Sequence, residues 1–404
     1  MNFVIFDDEK RSNFFPITLT RSTGDLRVGI LKLRQRISSY LEFSETKVIV
    51  SSELEAIIKE RHKDWKVNEI TAEETIFINS RIKIDAKAKQ AMLNLQKDEC
   101  LVKDNTILAA RCKPEKNNIS SENLNSLFSN LQRIKDPEVN CWEYLWEFIE
   151  ENAEYIKRDF NDIFYDKDNY FETELGTTVI NPYNVWIGDG AIIRPGVVID
   201  ATEGPVVLDE NVTIMSNAVI IGPAYIGKGS TIKIGAKIYE GTSIGTMCKV
   251  GGEVEETIFQ GYSNKQHDGF LGHSYIGEWV NLGADTNNSD LKNNYSTVSV
   301  YFYPNKKEID SQNQFVGTFI GDHSKTGINS TINTGTVIGV GCNLFGLGMI
   351  KNHIPSFNYG TGSETTEYLL EMFIETAEIV KKRRGLQFSE SEKVLYSKIH
   401  KQVF

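Results

Sequence analysis

Every sixth residue from Leu208 onward reads Leu208, Ile214, Ile220, Ile226, Ile232, Ile238, Ile244 and Val250, all aliphatic. The residues four places further on, Val212, Ala218, Ala224, Ser230, Ala236, Thr242 and Cys248, are all small. An earlier set (Ile187, Ile193, Ile199) and a later one (Ile320, Thr326, Ile332, Ile338, Leu344) keep nearly the same rule. Amphipathic helices repeat at 3.6 residues and half-buried strands at 2, so neither generates this period. A fixed six-residue recurrence predicts a parallel β-helix in which three hexads form one triangular coil. The aliphatic residue fills the prism and the small one fits where two walls meet. Gly227, Gly245, Gly321 and Gly339, each following an aliphatic position, suit the bends between walls.

The chain before the repeat reads differently. Phe3–Phe6, Lys47–Val50 and Thr75–Asn79 are short apolar runs of the kind that form buried parallel strands. Between the first two, Leu26, Ile30, Leu33, Ile37 and Leu41 fall at helical spacing behind Asp25, a suitable N-cap. SELEAIIKER predicts a second helix, CLVKDNTILAAR a hairpin turning at Asp104-Asn105, and Trp142–Phe160 a linking helix. Alternating strands and helices imply an α/β layer of nucleotide-binding type. Past the repeat, Thr365 to Arg384 predicts a helix whose KKRRG ending places cations and a stopping glycine at its C-terminus. The chain therefore divides into an α/β domain with a linking helix over 1–165, a hexapeptide solenoid over 175–350 and a helical extension over 351–404.

The repeat breaks twice. Val250 to Ile258 is eight residues rather than six, and the new register places Asn264 inward. A polar residue there is costly unless satisfied, so Ser263–Gly277 is expected to leave the prism as a loop. Leu282 to Ile320 is a second off-register gap. Long loops on a rigid scaffold are where binding and chemistry usually reside.

A formal charge of −11 argues against broad nucleic-acid binding, while leaving room for a local basic pocket. The five cysteines show no CxxC pairing and read as free thiols in a reducing compartment. No segment approaches the roughly 18–20 apolar residues of a membrane span, and a cytoplasmic protein is expected.

Gly235-Ala236, EGTSIG, HDGFLG, SYIGEWVNLGADT and LKNN together resemble the acetyltransferase half of the bifunctional glucosamine-1-phosphate acetyltransferase/N-acetylglucosamine-1-phosphate uridylyltransferase family. That family has a His followed by an aromatic-Leu-Gly, an Asn fourteen residues beyond the His, then Gly-Ala-x-Thr. His267, Phe270-Leu271-Gly272, Asn281 and Gly283-Ala284-Asp285-Thr286 fit in order and spacing. LTRSTGDLRVGILKLRQRI resembles the divergent sugar-nucleotidyltransferase half of variant two-domain members. The resemblance implies a left-handed coil, a homotrimer, and acetyl-CoA lying along the coils. It assigns His267 as general base, the Ala284 N–H to the oxyanion, and Asn281 and Phe270 to the amino sugar. Lys233, Lys265 and Lys292 are candidate phosphate contacts, Lys265 and Lys292 also being readable as solvated surface lysines. The family's lysine pair in the coil before the His is missing: Gly251-Gly252 and Glu255-Glu256 stand in that region.

The first domain also departs from the pattern, having no Gly-rich Gly-Thr-Arg loop after Phe6. In its place Arg21, Asp25 and Arg27 are candidate nucleotide contacts or surface residues. Asp8 (with Asp7) and Asn79, at strand ends, are candidate Mg²⁺ ligands or turn formers. Two other readings stay open. The solenoid can be a non-catalytic trimerising scaffold, or a γ-carbonic-anhydrase-like zinc enzyme gathering His267, His273 and His323 across subunits.

Overall fold

The computed structural model describes residues 2–115, 119–167, 169 and 171–403. The first part is a seven-stranded sheet in the order Lys66–Val67, Lys47–Ile49, Asn2–Phe6, Thr75–Asn79, Thr106–Cys112, Glu99–Lys103, Gln132–Lys135. The first four strands are parallel and Thr106–Cys112 runs against them. Residues 4–6, 48–49 and Thr75–Asn79 are buried, as the central strands of a parallel sheet require. The hairpin turns at Asp104, whose φ of 52° is left-handed.

The segment after Asp25 corrects the sequence reading. A tight hairpin, Arg27–Val28 against Leu31–Lys32, precedes the helix, which starts only at Leu33 and ends at Leu41. Gly29 makes that turn at φ +66°, and a Cβ there would lie 2.8 Å from the Tyr155 carbonyl oxygen. Local helical spacing was overridden by this tertiary contact. The linking segment is two helices, Leu145–Glu150 and Asn152–Ile163, instead of one.

The repeat forms the predicted parallel β-helix. One face stacks Thr178–Ile180, Val198–Asp200, Val219–Ile221, Lys237–Ile238, Glu253–Glu255 and Phe270–Gly272. The second carries nine strands from Val185–Ile187 to His353–Ile354. The third runs from Ile192–Ile193 to Asn264–Lys265, passes Asn281, which bridges Asn264 below and Lys325 above, and continues at Lys325–Thr326. Leu208, Ile214, Ile220, Ile226, Ile232, Ile238 and Ile244 are all essentially inaccessible to solvent and form one continuous core. The 18-residue register between coils (Val206 opposite Ala224, Thr213 opposite Thr231) is three hexads.

The first break is resolved differently from expectation. Ser263–Gly277 does not leave the prism: Asn264–Lys265 pairs with Lys249–Val250, and Phe270–Gly272 with Glu253–Glu255. The corners shorten instead, so register offsets become 15 and 17 residues. The inward slot therefore falls on Lys265, opposite Val250, and Asn264 faces outward. The second break is the real insertion. Between Asn287–Asn288 and Thr318–Ile320 the chain makes a hairpin, Ser299–Phe302 against Lys307–Asp310. That hairpin packs Phe302 on Tyr144 and Tyr303 on Phe15. The Asn pair bridges the coil below with side chains. Asn287 and Asn288 accept from the Phe270 and Gly272 N–H groups, each at 2.8 Å.

Beyond the last coils, Thr365–Glu367 is a strand against Asn358–Gly360, and the helix expected over this stretch begins at Leu370 and ends at Lys382. With Glu390–Val403 it packs on the corner between the second and third faces. The α/β domain docks beside them. Arg21, 2% exposed, donates to Asp322, which also accepts from the Thr20 hydroxyl at 2.6 Å and the Glu278 N–H at 2.8 Å. Asn152 bonds Gly29, Gly241 and Ser243, tying helix, hairpin and solenoid together. Removing one partner of a buried ion pair strands the other charge away from water. Asp322→Ala is therefore expected to cost about 3–5 kcal/mol in chemical denaturation; a loss under about 1 kcal/mol would show that the Arg21 contact does not hold the halves together.

Candidate functional site

The three corners of the prism differ in what covers them. Between the third and first faces, successive coils place Lys233, Gly251-Gly252, His267-Asp268-Gly269, Ala284-Asp285 and Ile328-Asn329 above one another. Coils rise by roughly 4.8 Å, so Lys233 lies about 10 Å below His267 and Ala284 one coil above it. The Asp285 N–H donates to the Asp268 carbonyl at 3.0 Å, fixing the Ala284 turn over the His267 turn. Gly269 is required there: at φ +117° an added Cβ would lie 2.3 Å from the Thr286 carbonyl oxygen.

His267 is exposed in this turn, and its backbone is held from inside the prism. Lys265, 1% exposed, donates its ammonium to the carbonyls of Gly251 and His267, each at 3.0 Å. Gly252 makes room: a side chain there would meet Lys265 Nζ at 2.7 Å and the His267 carbonyl oxygen at 2.8 Å. Gly252 thus admits a lysine from within the prism. Lys265 is committed to these carbonyls and does not stand free to meet a phosphate.

Asn281 sits on the third face just before the Ala284 corner. Its side-chain oxygen accepts from Asn264 Nδ2 at 3.4 Å, and Asn264 accepts from Arg384 at 3.0 Å. Phe270 begins the first-face strand beside His267 and is half-buried. Lys249 lies next to Asn264; burial pushes its ammonium pKa down, as do Arg384, Lys233 and Arg383. Four cations therefore gather on this side of the corner. Sequence reading named only Lys233; Lys249 was hidden as an outward hexad position and Arg384 inside a helix-ending KKRRG. Lys292 lies elsewhere, on the insertion, donating to the Thr297 carbonyl at 2.7 Å.

The histidines do not support a shared zinc. His267, His273 and His323 occupy three different corners, and His323 is 1% exposed, ringed by Trp279, Phe373, Phe388 and Tyr396. Among the described residues no group of three His, Cys, Asp or Glu side chains is placed to hold a metal.

In the α/β domain, the three candidate nucleotide contacts face inward. Arg21 pairs with Asp322 as above. Burial works against the charge on Asp25, but Lys32 and Arg34 hold its carboxyl below the usual range. Arg27 donates to the Ile30 carbonyl and lies 5.1 Å over the Tyr225 ring. They build the docking surface; Arg21 and Asp25 also line a cleft of about 300 Å³ with Lys32, Arg61 and Glu278, where each is already ion-paired. The Mg²⁺ candidates are also occupied. Asp8 accepts from Arg81 Nη2 at 2.6 Å and Nε at 3.0 Å and from Asn79 at 2.9 Å, while the Asn79 oxygen accepts from the Arg81 N–H. A guanidinium fork on that carboxylate does not fit a metal there.

The open crevice lies at the carboxyl ends of the parallel strands, beside the switch point between Asn2–Phe6 and Thr75–Asn79. It encloses about 290 Å³, with Lys10, Arg11, Ser51, Asn105, Thr106 and Ser121 among its lining residues. Its basic residues follow the first strand in DDEKRS, a signal passed over for Thr20-Arg21.

A family model described as sugar nucleotidyl transferase matches residues 3–167. Bifunctional protein GlmU of Synechococcus elongatus is 27% identical over 201 residues, 45% of this chain and 40% of that protein. A bifunctional sugar-1-phosphate nucleotidylyltransferase/acetyltransferase of Sulfurisphaera tokodaii is 36% identical over 143 residues, 34% of each. A solved UDP-N-acetylglucosamine acyltransferase from Campylobacter jejuni is 14% identical, with a TM-score of 0.23 over 56% of this chain and 82% of that one. The matched part is less than half the length of these curated relatives.

Lys265 makes a pH prediction. Burial lowers its pKa to about 8 from an ordinary value of 10.5, so between those values the unfolded chain binds a proton that the folded chain releases. Its contribution therefore grows as pH rises from about 8 toward 10.5. Lys265→Met should remove that rise, read as the stability difference between pH 7.5 and 9.5 against wild type; an unchanged difference would contradict the buried ammonium. The chain is thus similar over part of its length to bifunctional sugar-1-phosphate nucleotidyltransferase/acetyltransferase proteins, and its residues 3–167 match the sugar nucleotidyl transferase family model.

Proposed function

We propose that the His267 corner transfers an acetyl group from acetyl-CoA to the amine of a hexosamine 1-phosphate, glucosamine 1-phosphate being the first candidate. The observation that carries this reading is the alignment of His267, Asn281, Ala284 and a cation cluster on consecutive coils. The names of the bifunctional relatives support it. In this reading the His267 imidazole takes a proton from the amine as its nitrogen bonds the thioester carbon. The Ala284 N–H stabilises the oxyanion, and collapse breaks the C–S bond. The departing CoA thiolate takes the proton from His267 and leaves as the free thiol. Asn281 and Phe270 orient the sugar, and Lys233, Lys249 and Arg384 hold its phosphate.

The α/β crevice transfers a nucleotidyl group from a nucleoside triphosphate, UTP first, to the sugar phosphate, giving UDP-N-acetylglucosamine and pyrophosphate. Lys10 and Arg11 hold the triphosphate in this reading. Asp8 and Asn79 hold Arg81 and do not fit Mg²⁺. A homotrimer is part of the same reading. Ile234, Ile328, Leu347 and Met349 stand 65%, 70%, 91% and 53% exposed along the His267 corner and gain cover from a second copy.

His267→Ala should lower acetyl transfer, followed as thiol release, by at least about 100-fold with a melting temperature within about 2 °C of wild type. Comparable loss of folding would make His267 structural. Lys10→Ala should slow UTP-dependent pyrophosphate release by roughly tenfold and leave thiol release intact; unaltered pyrophosphate release would remove Lys10 from the crevice chemistry.

A further inference from the structure

The corner between the first and second faces carries a site that the acetyl- and nucleotidyl-transfer reading does not use. His273 turns this corner with φ +45°, and its Nδ1 lies 2.8 Å from Asp290 Oδ2. With Nδ1–H donated to that carboxylate, the other ring nitrogen is an acceptor. The ring stacks on Phe315, centroids 5.0 Å apart. One coil below, Glu256 takes the equivalent turn at φ 43°. Burial pushes its carboxyl pKa up to about 7, and His273 is the neighbour that favours its charge. Among the described residues no hydrogen-bond donor reaches the Glu256 carboxylate.

Glu256 and His273 open onto a cavity of about 380 Å³. Its far wall is the linking helix, through Trp146, Ile149 and Glu150, and its roof is the return of the inserted hairpin, Gln312–Phe315. The lining is two carboxylates, one imidazole, three amides and apolar side chains, with no lysine or arginine. That chemistry repels a phosphate. It favours an ammonium, to pair with the unpartnered carboxylate, on a body bearing hydroxyls, to meet the amides and the imidazole. The volume falls within the range of small-molecule sites.

We propose that this cavity binds a small unphosphorylated polyhydroxylated amine, held by Glu256 and His273 on the solenoid and by Glu150 on the linking helix. The site lies on a different corner from His267 and does not depend on the acetyl-transfer reading. Because its walls come from both halves, occupancy ties the α/β domain to the solenoid.

Isothermal titration of the full chain with glucosamine at neutral pH tests it. Saturable binding at one site per chain is expected, with glucose and glucosamine 1-phosphate at least about tenfold weaker at that site. Glu256→Gln should weaken glucosamine by at least about tenfold while thiol release from acetyl-CoA stays at wild-type rate. Glu150→Gln, which reaches the cavity from the helix, should weaken it in the same direction should the corner variant misfold. His267→Ala should bind glucosamine as wild type does. Absence of saturable binding, or wild-type affinity in both carboxylate variants, would overturn the proposal.

Discussion

The structure depends on a stack of backbone ladders whose inward side chains are set by a six-residue period. Because each coil pairs only with its neighbours, the inward aliphatic column from Leu208 to Val250 makes the prism continuous and leaves its outer surfaces free to specialise. The three corners take different roles. One is sealed by the C-terminal helices and the docked α/β domain, one lies under the inserted hairpin, and one presents His267 to solvent.

The same period explains how a cation enters the core. Lys265 occupies a slot that Ile232 and Val250 fill in the coils below, and it is tolerated because two carbonyls receive its ammonium and Gly252 leaves space. The result is a turn braced from beneath, so the exposed His267 stands on backbone fixed by a buried contact. Asn288 and Thr326 extend this polar stretch inward, and each is hydrogen-bonded: Asn288 to Gly272, Thr326 to the Thr286 hydroxyl at 2.9 Å. Aliphatic packing is given up over three neighbouring coils beside the candidate site, and satisfied hydrogen bonds take its place.

Much of this was legible in the residues. Period six dictates the prism, the apolar runs dictate the parallel strands, and the long gap before Ile320 is the insertion. What misled was local reading of features decided at long range. The spacing of Leu26, Ile30 and Leu33 is helical, but Gly29 packs on Tyr155 and the chain turns there. Arg21 and Arg27 look like ligands because their partners Asp322, Tyr275 and Tyr225 lie about two to three hundred residues away, while Asp25 is held by Lys32 and Arg34 across the turn and helix that replaced the predicted N-cap. Asn264 and Lys265 exchanged roles because two corners shortened, which no period can announce. The crevice cations Lys10 and Arg11 were in view, at the end of the first strand, where a parallel sheet opens toward ligands.

The most direct measurement is free-thiol release by the purified full chain supplied with acetyl-CoA, with and without glucosamine 1-phosphate. The account predicts release that depends on the sugar phosphate and saturates with it. Thiol release that is absent, or indifferent to the sugar phosphate, would contradict the assignment of acetyl transfer to the His267 corner and leave the solenoid as the scaffold of a nucleotidyltransferase.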